Sequence, residues 1–111
     1  MLHFMRLYHD PFTKIKAGTK TIEIRLYDEK RQLVNIDDEI QFTDVTNGEV
    51  ILCKVKNIYK YPDFEALYKN PPKLSLGYAD DENADPEDMS KYYSKENIAK
   101  YGAVGIEISI N

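Results

Sequence analysis

Gly18, Lys20, Glu23 and Arg25 stand in the order G-x-K-x-x-E-x-R, in a run where Ile22, Ile24 and Leu26 fill alternate positions. That period of two marks a β-strand with one apolar face. Side chains two apart on a pleated strand project from the same side, so Glu23 and Arg25 share the other face. Together they offer a carboxylate acceptor beside a planar donor fork, and Lys20, where the turn becomes strand, adds a mobile ammonium. Cations of this kind meet phosphate, and a glutamate accepts from amino groups on a base edge, so the set suits a nucleotide. The plain alternative is a surface strand carrying a self-satisfied salt bridge and a solvated lysine.

Other chemical constellations carry less. Asp81-x-Asn83-x-Asp85 begins like a calcium loop, but Pro86 stands where the loop needs glycine and Tyr92 where it needs a bidentate acid. That stretch reads instead as a solvated loop and helix cap. His3 and His9 have no cysteine or carboxylate at ligand spacing and no serine or cysteine arrangement beside them, so neither a metal site nor a triad is expected. Cys53 is the only cysteine, which excludes an intramolecular disulfide. No cofactor is implied.

The elements that must position the set follow from turn and cap signals. Leu2 to Tyr8 alternates weakly as a strand, and Asp10-Pro11 predicts the cap and first position of a short helix ending near Ala17. Gly18 is its stop, because a helix commonly ends on a residue in the left-handed conformation. The strand Thr21 to Leu26 follows, then a charged loop and a second strand over Glu39 to Thr43. Asn47-Gly48 predicts a tight hairpin into the run Glu49 to Tyr59. Asp63 caps a short helix with Phe64, Leu67 and Tyr68 at helical spacing, ended by Asn70-Pro71-Pro72. Asp85-Pro86 opens another, with Met89, Tyr92 and Tyr93 as its apolar side, and Ser94 caps one more, stopped at Gly102. Ala103 to Ile110 closes the chain as a strand with Val104, Ile106, Ile108 and Ile110 on one face. Strands with short helices inserted between them predict an α+β fold: one small antiparallel or mixed β-barrel domain over residues 1–111.

At 111 residues the chain is long enough to bury a core without disulfides or a structural metal. Apolar content of 42% supports a packed globule, and the apolar runs are too short to cross a bilayer. A cytoplasmic location is expected, since the N-terminus lacks a secretory pattern. The net charge of -4 argues against a generic nucleic-acid binder. It is unevenly spread: residues 1 to 60 hold ten Lys or Arg against nine Asp or Glu, whereas residues 61 to 111 hold five against ten.

The motif Gly18, Lys20, Glu23, Arg25 resembles the signature of the ASCH (activating signal cointegrator homology) domain family, which looks like a branch of the PUA-like β-barrels. The resemblance extends to the helix before the motif, the closing strand and the stretch Val34 to Phe42, where the family has a Gly-Asp-x-Ile-x-Phe segment and Asp37 replaces the glycine. It implies a module that binds RNA or a nucleotide in a cleft beside the barrel, with Lys20, Glu23 and Arg25 as ligand-binding residues. Tyrosines such as Tyr8, Tyr27, Tyr59, Tyr78 and Tyr92 are available for base stacking. The alternative it implies is a small amidohydrolase acting on N4-acetylcytidine or a related acylated nucleoside, with Lys20, Glu23 and Glu82 as its catalytic residues; Lys20 and Glu82 match the lysine and the acid. Glu23 stands where those enzymes carry threonine, and Thr21 is displaced from that position by two residues.

Overall fold

The computed structural model describes residues 1–111. Five strands, β1 (Leu2–Leu7), β2 (Ile22–Leu26), β3 (Glu39–Asp44), β4 (Val50–Tyr61) and β5 (Ala103–Ile110), form one sheet in the order β1-β3-β4-β5-β2. β1 runs parallel to β3, and every other neighbouring pair is antiparallel. The helices α1 (His9–Ala17), α2 (Phe64–Tyr68) and α3 (Lys95–Tyr101) are short, and single 3-10 turns lie at Arg31–Leu33, Lys73–Leu76 and Pro86–Lys91. This is a small α+β fold, a curled half-barrel with short flanking helices.

Curling is built into β4, whose register on β5 shifts between Val55 and Asn57. Such an irregularity bends a strand and increases its twist. It brings the two outer strands of the sheet, β1 and β2, toward each other, and Arg25 of β2 reaches the carbonyl oxygen of Arg6 on β1.

Two apolar clusters pack on opposite sides of β5. Val104, Ile106 and Ile108 join Met5, Leu7, Phe12, Ile40, Phe42 and Val55 inside the half-barrel. Ala103 packs with Ile22, Ile24, Phe64, Leu67 and Leu76 in an outer layer. β2 therefore turns its isoleucines outward, onto α2 and the 73–76 turn. Glu23 and Arg25 pair with Ile106 and Val104 on the inward side.

Local signals hold in several places. Gly18 ends α1 in the left-handed conformation, with its N–H on the Ile15 carbonyl. Asp63, Asp85 and Ser94 each accept a backbone N–H at the start of a helical turn. Others need correction. Asp10 does not cap α1, which starts two residues earlier, at His9 after Tyr8, and has no side-chain cap. The β3–β4 connection is a five-residue loop, 45–49, in which only Gly48 takes positive φ, because Asp44 folds back to accept Thr46 N–H and fixes a wider turn. The 86–91 segment is 3-10 rather than α, and Tyr92, at its end, is exposed. Ile110 lies beyond the covered part of β5 and is half exposed.

Candidate functional site

The facing edges of β1 and β2 leave a cleft of about 550 Å³, lined by the end of β1, the inward face of β2 and the segment from Leu76 to Tyr93. Lys20, Glu23, Arg25 and Glu82 all line it. The strand is not a surface ribbon with one solvated face. Glu23 is 3% exposed and Lys20 7%, because the outer side of β2 is covered by α2 and the inner side belongs to the barrel.

Within the cleft the three motif residues form one ionic cluster. Arg25 Nε donates to Glu23 Oε2 at 2.6 Å, and Lys20 Nζ lies 3.3 Å from Glu23 Oε1. Lys20 also donates to the Leu76 carbonyl at 3.2 Å, and Arg25 Nη2 to the Arg6 carbonyl at 2.7 Å. Burial by itself raises the Glu23 carboxyl, but Arg25 and Lys20 outweigh it and hold the group below the ordinary glutamate value. Burial likewise lowers Arg25, and Glu23 reverses that and holds it above the usual guanidinium value. Glu23 and Arg25 therefore both stay charged at neutral pH. Lys20 is not the mobile ammonium its place in the turn suggests, since two partners fix its head. Gly77, at φ +100°, lies over its stem, where an added Cβ would stand 3.1 Å from Lys20 Cδ.

Glu82 is held away from this cluster. Its Oε1 accepts Ala79 N–H at 2.8 Å and lies 3.6 Å from Lys14 Nζ, which also bonds the Gly77 carbonyl. Thr21 does not line the cleft; it borders a separate, smaller pocket with Ile15, Cys53 and Ile108. No serine, threonine or cysteine side chain faces the motif cluster across the cleft.

Of the tyrosines available for stacking, Tyr8, Tyr78 and Tyr92 line the cleft, and Tyr27 and Tyr59 do not. Tyr27 packs on the barrel core and Tyr59 donates to Glu107. Tyr8 and Tyr92 are exposed, with ring centroids 6.2 Å apart. Tyr78 donates to Asp88 at 2.9 Å and meets the Tyr68 hydroxyl at 2.8 Å, which ties the cleft wall to α2. Burial and these bonds push the Tyr78 phenol far above its usual value.

Sequence reasoning missed Arg6, whose carbonyl anchors Arg25, and the carbonyls of Leu76 and Gly77 that hold the lysines. Backbone acceptors leave no residue-type signal. Tyr93, stacked on Phe64 at the cleft wall, was read only as apolar packing.

The chain resembles solved structures over essentially its whole length. The hypothetical protein PH0355 is 33% identical with a TM-score of 0.80, each chain covered in full. Protein PF0455 from Pyrococcus furiosus is 32% identical with a TM-score of 0.72, covering 99% of this chain and 97% of that one. An ASCH protein from Zymomonas mobilis shares the fold at 13% identity and a TM-score of 0.66, covering 99% of this chain and 66% of its own. No curated protein matches the chain in sequence. The family model for the ASCH domain matches residues 5–110, and the chain belongs to the ASCH domain family.

Proposed function

We propose that this chain is a nucleotide- or RNA-binding module that takes a base into the cleft between β1 and β2. One observation carries the reading: Lys20, Glu23 and Arg25 converge on the floor of a cleft whose mouth bears the exposed rings of Tyr8 and Tyr92. The cleft volume falls within the ~300–1,000 Å³ typical of small-molecule sites. The tyrosines offer flat faces for stacking, and the floor offers hydrogen-bonding groups for the base edge. Membership of the ASCH family supports nucleic-acid binding in general terms.

Charge argues for a short ligand. Arg6, Lys20, Arg25 and Lys91 are matched in the cleft by Asp10, Glu23, Glu82 and Asp88, so the site is neutral in sum. A long phosphate backbone, whose binding depends on excess cations, gains little there. The alternative, hydrolysis of N4-acetylcytidine, is supported by Lys20 and Glu82 lining the same cleft. It lacks a hydroxyl nucleophile, since Glu23 holds the threonine position and Thr21 borders another pocket.

Calorimetric titration with nucleotides and short RNAs tests the reading. Tyr92→Ala, at an exposed position, is expected to weaken binding by about 1–3 kcal/mol, the worth of one stacked base. Equal affinities of wild type and variant, or no binding by wild type, contradict it.

A further inference from the structure

The Glu23 carboxylate is flanked at both ends. Lys20 approaches Oε1 and Arg25 approaches Oε2, so each oxygen spends one acceptor site on a cation and keeps one. Lys20, with partners in Glu23 and the Leu76 carbonyl, keeps one of its three N–H groups. Arg25, with Nε on Glu23 and one Nη2 proton on the Arg6 carbonyl, keeps three of its five. Read along the floor of the cleft, the remaining capacity is a donor on Lys20, two adjacent acceptors on Glu23, then donors on Arg25. Over Lys20 and Glu23 its complement is a ligand edge with a carbonyl followed by two neighbouring N–H groups.

We infer that the cleft floor selects a heterocycle with two adjacent N–H donors beside a carbonyl, the edge that guanine presents. The inference rests on the base-binding reading above and assigns the class of base. Guanine offers O6 to Lys20, and N1–H and the N2 amino group to the two oxygens of Glu23. Cytosine and adenine pair one amino group with an unprotonated ring nitrogen, whose lone pair meets the second carboxylate oxygen. The imide of uracil has a single N–H between two carbonyls, so one carbonyl faces a carboxylate oxygen.

Burial makes these mismatches costly. With Glu23 3% exposed, water does not screen the repulsion, and a buried polar group built for a partner is left without one. Stacking on Tyr8 or Tyr92 tolerates any base, so discrimination falls to the floor. Glu23 stays ionised between its two cations. The same edge is available from free guanosine and from an unpaired guanosine within a strand.

Titration of the wild-type protein with guanosine, inosine, adenosine, cytidine and uridine tests this without any substitution. Guanosine is expected to bind at least roughly tenfold more tightly than adenosine, cytidine or uridine, and inosine, which lacks the N2 amino group, to lose about tenfold against guanosine. Two unstructured RNA heptamers, all uridine or with one central guanosine, separate the sources. Preference for the guanosine-bearing heptamer together with weak free guanosine assigns the strand; tight free guanosine assigns the nucleoside. In Glu23→Gln the amide presents one acceptor and one donor, and the guanosine preference is expected to vanish. Equal affinity for all nucleosides, or a preference for cytidine, overturns the guanine assignment and leaves base binding standing. Failure of every nucleoside and both heptamers to bind overturns the assignment and the base-binding reading together.

Discussion

Arg25 Nη2 donates to the Arg6 carbonyl at 2.7 Å, across the one boundary of the sheet where neighbouring strands share no ladder, and the same guanidinium holds Glu23 at 2.6 Å. One side chain thus ties the open seam of the half-barrel and fixes the acid on the cleft floor. Removing one partner of a buried pair leaves the other charge uncompensated. Arg25→Ala is expected to cost about 3 kcal/mol of stability, and Arg25→Lys less, since it keeps the charge but loses the planar fork. Urea denaturation measures both. An unchanged midpoint for Arg25→Ala would show that the pair is solvated and that the seam does not depend on it.

A second pairing fixes the response to acid. The Asp38 carboxylate accepts from His3 Nε2 at 2.8 Å, from Asn35 N–H and from the N-terminal ammonium, and these bonds lower it from 3.8 to about 2. A depressed carboxylate contributes stability that is fully present above its unfolded value and lost as pH falls through its folded value. The Asp38 contribution is therefore expected to be intact above about pH 4 and to disappear toward about pH 2. A carbon-13 NMR titration of the side-chain carboxyl reads the midpoint directly. A midpoint near 3.8 would contradict the bonding described.

Position 37, where the sequence resemblance expects a glycine, takes the conformation glycine favours. Asp37 sits at φ +75°, the only non-glycine residue of positive φ in the chain, and its one ion pair is an exposed contact of 3.7 Å to Lys54. The left-handed conformation costs an L-residue on the order of 1 kcal/mol, which exceeds the worth of a contact of that kind. Asp37→Gly is expected to stabilise the fold by about 0.5–1 kcal/mol, seen as a higher thermal midpoint. A lower midpoint would mean that the Lys54 pair outweighs the strain.

Cys53 lies at 0% exposure on β4 inside the core, and burial pushes its thiol up to about 11. A neutral, covered thiol is a poor nucleophile. Disulfide-exchange reagent is expected to label Cys53 slowly in the native protein and rapidly in denaturant. Rapid native labelling would show that the β4–β5 side of the core opens readily.

Much of this architecture is legible in residue order, and the places where it is not share a cause. Caps and turns are local, so Gly18, Asp63, Asp85 and Ser94 act where the residue types put them. Strand periodicity identified the two faces of β2 but not what covers them. Alternation alone reads as one face in water, whereas α2 and the 73–76 turn cover the isoleucines and the barrel covers Glu23 and Arg25. Burial of the trio is thus a tertiary fact, set by residues far along the chain, from α2 to β5. The cleft was half legible: side-chain chemistry marked Lys20, Glu23 and Arg25, and nothing in residue type marked the carbonyls of Arg6, Leu76 and Gly77. Glu82 was matched by its place ahead of the 86–91 turn, but its bonds to Ala79 and Lys14 make it a brace of the cleft wall.

The central claim is that a base enters the cleft between β1 and β2 and meets Lys20, Glu23 and Arg25. Amide chemical-shift mapping during titration of nitrogen-15-labelled protein with guanosine monophosphate tests it most directly. Saturable shifts are expected at Tyr8, Lys20, Glu23, Arg25, Gly77 and Tyr92, with the outer face of β3 and β4 unmoved. Shifts centred on that outer face, or none with this or any of the adenosine, cytidine and uridine monophosphates at millimolar concentration, would contradict it.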